Sequence, residues 1–160
     1  MENEPYQLRG SRVPPMTLKE ISETAKGFSR NFELKKYLKL KRIDKPLEML
    51  SPYGITIDVK NEVQWIKETF GLTSGHFDPN SLTISLPEHT YELACAGDKD
   101  ALFIVMHEIG HLILGHKALL HSSNKLPTYQ EDSEWQADSF AEVILDTLGF
   151  SLKQLSFDFL

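Results

Sequence analysis

Fourteen residues, Ala101 to Leu114 (ALFIVMHEIGHLIL), constrain this chain more than any other stretch. Apolar side chains would cover nearly every side of the helix they form, the pattern of a helix buried at the centre of a domain. Asp98 or Asp100 offers an N-cap and Gly115 a stop, so the sequence predicts a helix over 101–114. Set into it are His107, Glu108 and His111. Two imidazoles and a carboxylate in such a helix carry a heavy desolvation cost unless something compensates them, and a bound dication would do so.

The run His107-Glu108-Ile109-Gly110-His111 is the pattern H-E-x-x-H. Residues four apart on a helix differ by about 40° and one turn, so both imidazoles can reach one metal ion. Glu108 projects about 100° from His107, off the ligand line, where it can act as general base toward a water held by the metal. A composition with 6 His in 160 residues produces this motif by chance only ~0.02 times per chain.

An open catalytic zinc site keeps three protein ligands, so a third has to be found. The extended pattern H-E-x-x-H-x-x-G-x-x-H requires a glycine at position 114 and a histidine at position 117, where this chain has Leu114 and Lys117. Gly115 and His116 are one place out of step, which leaves Gly115 as a helix stop and His116 as a surface residue or a support behind the ligands. The other route is a carboxylate from a second helix. Such a helix is predicted from Glu134 to Leu148, opened by a capping box of Ser133 and Gln136 and ended at Gly149. Glu134 and Asp138 lie four apart on one of its faces, so Glu134 can ligate zinc while Asp138 accepts a hydrogen bond from a ligand imidazole. An acidic face at the positive end of a helix explains the same pair without a metal.

The remaining elements are read from caps and periodicity. Residues 1–16 hold three prolines and no periodic apolar pattern, which predicts a flexible, extended arm ahead of a single domain over 17–160. Thr17 and Glu20 form a capping box for an amphipathic helix bearing Ile21, Ala25, Phe28 and Phe32. Residues 35–50 read as helix broken at Pro46. Ile55, Ile57 and Val59, and again Leu82, Ile84 and Leu86, alternate with polar residues as half-buried strands do. The expected fold is α+β: a small, mainly antiparallel sheet packed against a central H-E-x-x-H helix and a second ligand-bearing helix, a zincin-like arrangement. Strand 82–86 is expected at an exposed edge, where an extended peptide can add to it.

Charge and cysteine usage narrow the partners. Residues 1–45 carry 11 Lys/Arg against 6 Asp/Glu, and the rest of the chain carries 6 against 17. The basic run from Arg30 to Lys45 reads as a solvated helix face, with no nucleic-acid-binding motif beside it, so no direct contact with nucleic acid is expected. Cys95 is the lone cysteine, and the first twenty residues contain no apolar run of the kind a signal peptide has, which predicts a cytoplasmic protein. The longest apolar stretch is Ala101–Met106, far short of the roughly 18–20 residues that cross a bilayer, so no membrane association is expected. Cys95 itself reads as a small core residue.

HEIGHLILGH followed by Glu134-Trp135-Gln136-Ala137-Asp138-Ser139-Phe140-Ala141 resembles the ImmA/IrrE family of zinc metallopeptidases, which pair an H-E-x-x-H helix with a downstream E-x-x-A-(D/N)-x-F-A helix. The resemblance spans roughly residues 54–148. Where the family commonly closes its second motif with Leu-Met-Pro, this chain has Ile144-Leu145-Asp146. The resemblance implies one Zn2+ per chain held by His107, His111 and Glu134, with Glu108 as catalytic base. It further implies a narrow-specificity endopeptidase whose protein substrate is a helix-turn-helix transcriptional regulator, as in antirepressors. The alternative function is a peptidase-like binding protein that sequesters such a regulator with little proteolysis. Four residues, His76, His89, His121 and Tyr129, are candidates to stabilise the oxyanion of the tetrahedral intermediate.

Overall fold

The structure, a computed structural model, describes residues 5–117 and 125–150. Its composition is α+β, with seven α-helices and one three-stranded sheet among the described residues. Helix α1 (Leu18–Asn31) starts at the foreseen capping box: Thr17 accepts from the Glu20 amide while the Glu20 carboxylate accepts from the Thr17 amide. Two short helices, α2 (Leu34–Lys39) and α3 (Asp44–Glu48), stand where one broken helix was expected. The break falls at Lys41, whose φ is 53°, rather than at Pro46. Pro46 sits in the first turn of α3, where no amide has an intrahelical partner to lose.

The sheet departs from expectation in two ways. Its strands β1 (Thr56–Lys60), β2 (His76–Asp78) and β3 (Thr83–Pro87) lie in the order β1-β3-β2. Strands β1 and β3 are parallel, with Ile57 opposite Ile84, whereas β2 and β3 are antiparallel, with Phe77 opposite Ile84. The sheet is therefore mixed rather than mainly antiparallel, and the segment expected at an edge is its centre. Helix α4 (Glu62–Thr69) between β1 and β2 gives the chain the length that a parallel return needs, while the short connection after Asp78 closes an ordinary hairpin. Alternation in residues 82–86 reports burial for Ile84 and Leu86, which are fully buried, but not for Leu82, which turns at φ 53° just ahead of β3 and is exposed. It carries no information on which backbone edge is paired.

Helices α5 (Glu88–Cys95), α6 (Lys99–Ile113) and α7 (Ser133–Thr147) complete the domain. Asp98 caps α6 by accepting from the Ala101 amide. The cap of α7 is Asp132, which accepts from the Glu134 amide, and not Ser133. Helix α7 packs against both α6 and α1, so the core gathers Ile21 and Phe28, Leu102, Val105, Met106 and Ile109, and Phe140, Ile144 and Leu145, over Ile84 and Leu86 of the sheet. The α6–α7 approach is close: a Cβ on Gly110 would stand 3.1 Å from Phe140 Cδ1 and 3.3 Å from Ala137 Cα. Cys95 is half-buried at the margin of this core.

Among the described residues ahead of α1 there is no helix or strand, but where a flexible arm was expected several of them pack and bond against the rest of the domain. Val13 is 1 % exposed, its amide donates to the Glu131 carbonyl at 2.8 Å, and Arg12 pairs with Asp132 in an isolated bridge. Prolines disfavour a helix interior, yet they leave the neighbouring amides free to bond a distant partner. No helix among the described residues is long and apolar enough to cross a membrane.

Candidate metal centre

The last two turns of α6 and the first two of α7 face each other. One turn apart on α6, His107 and His111 point their Nε2 atoms toward one another at 3.1 Å. Glu134, in the first turn of α7, closes the triangle: its Oε2 lies 2.8 Å from His107 Nε2 and its Oε1 3.3 Å from His111 Nε2. Three donors that each sit about 2.0–2.1 Å from one tetrahedral ion stand ~3.3 Å apart, close to the separations of these two imidazoles and the carboxylate. Ligand atoms of His107, Glu108 and His111 also fall within 4.8 Å of one another.

Both imidazoles are held from behind. His107 Nδ1 bonds Asp138 Oδ1 at 2.7 Å, the support expected of that carboxylate. His111 Nδ1 meets His116 Nδ1 at 2.9 Å, and His116 Nε2 meets Gln136 Oε1 at 2.7 Å. His116, 7 % exposed, and Gln136, 1 % exposed, thus belong to the site. Residue spacing left His116 as either a surface residue or a support, and Gln136 was expected in a capping box with Ser133. A signal does exist for His116. Gly115, at φ 68°, ends α6 with the Gly115 amide on the Leu112 carbonyl and the His116 amide on the His111 carbonyl, a turn that folds the next side chain back over the last helical turn.

Burial and charge act differently on each group. Burial opposes a charge on His107, but hydrogen bonds to Asp138 and Glu134 outweigh it and push the imidazole up to about 10. The same two imidazoles hold the Glu134 carboxyl far below the usual range. Glu108 is 6 % exposed, and loss of water raises its pKa. Burial brings His116 down to about 4, so this ring is neutral. A ring without charge offers one acceptor and one donor, as its two partners require.

The site opens into a cleft of about 670 Å3 bounded by β2 and the residues ahead of it, by α6 and α7, and by Gly10, Ser11 and Val13 of the N-terminal segment. Phe77 and Phe103 flank His111 and His107, at 6.2 and 6.4 Å between ring centroids. Of the four oxyanion candidates, His76 lines the cleft. His89 belongs to α5 and bonds Glu62 through its amide, Tyr129 packs on Trp135, and His121 lies outside the described residues. Comparison of the chain with family models, curated proteins and solved structures finds no match.

Proposed function

We propose that the chain is a zinc-dependent endopeptidase, with one ion held by His107, His111 and Glu134, Glu108 as general base, and Asp138 supporting His107. The observation that carries this reading is the triangle of two Nε2 atoms and one carboxylate at 2.8–3.3 Å, each imidazole anchored through its other nitrogen. A divalent ion there would supply Lewis acidity and a bound water that ionises near neutral pH. Glu108 takes a proton from the attacking water on its carboxylate oxygen and returns it to the leaving amide nitrogen. Its burial suits both halves of that task, because a raised pKa brings the carboxyl closer to the working pH.

Substrate geometry follows from the sheet order. Strand β2 is at the end of the sheet among the described residues, and His76 and Phe77 line the cleft, so an extended segment can lie along its outer edge and pair with its backbone. A zincin-like reading of the fold rests on this same placement of an edge strand beside α6 and α7. Such pairing favours a linker or an opened loop over a folded domain. With the resemblance of its two motifs, this supports an enzyme acting on a helix-turn-helix regulator.

Equilibrium dialysis is expected to find one zinc per chain, reduced in His111→Ala and Glu134→Ala, and the regulator to be cut at a single exposed segment in a chelator-sensitive way. A wild-type chain without zinc would overturn the reading. Val63, Ile66, Phe70 and Leu72 on and just after α4 are 59–85 % exposed, an apolar surface that suits partner binding. Tight complex formation with zinc bound and no cut would make the protein a sequestering module.

A further inference from the structure

The supports behind the two imidazoles do not end at Asp138 and Gln136. Asp138 Oδ2 accepts from Arg9 Nη2 at 2.9 Å, so one carboxylate spans His107 and Arg9. Gln136 Nε2 donates to the Pro14 carbonyl at 2.9 Å and to that of Gln130 at 2.7 Å. Both routes out of the metal centre therefore reach the segment ahead of α1. That segment also fixes the start of α7: Asp132 accepts from Tyr6 Oη at 2.7 Å, the Arg9 amide at 2.8 Å and the Gly10 amide at 3.1 Å. Ser11 and Ser133 exchange bonds, from the Ser11 amide to Ser133 Oγ and from the Ser133 amide to the Ser11 carbonyl. Contact with the third ligand is direct. A Cβ on Gly10 would come within 2.5 Å of Ser133 Oγ and 2.7 Å of Glu134 Cγ, so a side chain there would have to displace Ser133 or Glu134.

We infer that residues 6–14 form a strap that is part of the metal centre, and that Arg9 is a positioning residue acting on His107 through Asp138. This rests on the metal reading above. Arg9 is half exposed, and an ion pair of that kind adds little to fold stability. Its effect is directional. One oxygen of Asp138 is committed to Arg9 and the other to His107, which fixes the carboxylate plane and hence the imidazole that bonds it. Partners behind ligating histidines commonly change metal affinity about 10–100-fold, and Arg9, one bond further out, belongs at the lower end. The sign is informative. If Arg9 acted through charge alone, removing it would strengthen binding of a dication; if it orients Asp138, removing it weakens binding.

Linkage adds a second consequence: whatever factor strap docking contributes to metal affinity, metal must contribute to strap docking. The test uses the full-length chain. Zinc dissociation constants are measured by chelator competition for wild type, Arg9→Ala and Arg9→Gln, together with the visible spectrum of the cobalt(II) forms and the Tm of each metal-free protein. Trypsin cleavage after Arg12 is followed with and without zinc. Arg9→Ala is expected to bind zinc about 10-fold more weakly, with an altered cobalt spectrum and an unchanged metal-free Tm. Arg9→Gln, which keeps a donor without the charge, is expected to restore most of the affinity, and zinc to slow cleavage of wild type. A wild-type chain that binds neither ion refutes the metal reading itself. Zinc binding that is equal in wild type and Arg9→Ala, or stronger in the variant, leaves that reading standing and overturns the role of Arg9. Cleavage after Arg12 that ignores zinc overturns the strap as part of the centre.

Discussion

Nδ1 of His111 and Nδ1 of His116 stand 2.9 Å apart, so one ring must donate and the other accept. With Nε2 of His111 turned to the ligand triangle, its Nδ1 carries the proton and His116 Nδ1 accepts it. His116 then carries its own proton on Nε2 and donates to Gln136 Oε1, which leaves the Gln136 amide nitrogen to donate to two carbonyls. Every group in this buried chain has one consistent direction. The arrangement locks His111 in the tautomer that offers Nε2 to a metal.

His116→Ala removes the acceptor behind His111 and leaves a buried N–H without a partner. Zinc affinity is expected to fall about 10–100-fold, and stability of the metal-free protein by about 1–3 kcal/mol. Chelator competition and thermal melts measure the two effects. An unchanged zinc dissociation constant would refute the supporting role of His116.

Glu108→Gln keeps the shape of the side chain and removes its basicity. Zinc content and Tm are expected to stay near wild type while the rate of peptide hydrolysis drops about 10²–10⁴-fold. Single-turnover cleavage of the regulator, run beside metal analysis, separates the two. Loss of zinc in this variant would make Glu108 a ligand instead of a base.

Gly110→Ala sets two effects against each other. Alanine gains up to about 1 kcal/mol of helix propensity over glycine. Its methyl group, however, meets Phe140 at 3.1 Å and the Ala137 backbone at 3.3 Å, where α7 can yield only by moving as a helix. Overpacking of this kind costs about 1–3 kcal/mol, so a net loss is expected, with Tm lower by roughly 2–6 °C. Because α7 carries Glu134, zinc binding should weaken with it. A stabilised variant with intact zinc affinity would show that the α6–α7 spacing is not tight.

Acid should loosen the strap. Arg12 Nε donates to Glu131 at 2.7 Å, and this bond holds the Glu131 carboxyl below its ordinary 4.5. A carboxyl depressed in the folded state contributes its stability above the unfolded value and loses it as pH falls through the folded one. Hydrogen exchange of the Val13 amide in metal-free protein is therefore expected to gain protection from pH 3 to about 5 after correction for intrinsic rates. Glu131→Gln should flatten this rise, and an identical profile in that variant would exclude the pair as its cause.

What the sequence determines by itself is local. Residues four apart share a helix face whatever surrounds them, so His107 with His111 and Glu134 with Asp138 were legible as pairs, as was the Thr17–Glu20 cap. Alternation likewise marked Leu82, Ile84 and Leu86 as buried, which holds for Ile84 and Leu86 but not for Leu82, 38 % exposed just ahead of β3. Only the tertiary structure decided how those pieces meet. It made residues 83–87 the central strand, left β1 and β2 at the edges, and turned Gln136 from a cap into a link between His116 and the strap. It also joined Arg9 to Asp138 across 129 positions of chain. Periodicity and capping depend on dihedral geometry over a few residues, whereas strand pairing and the partners of buried polar groups depend on which distant segments the packed core brings together.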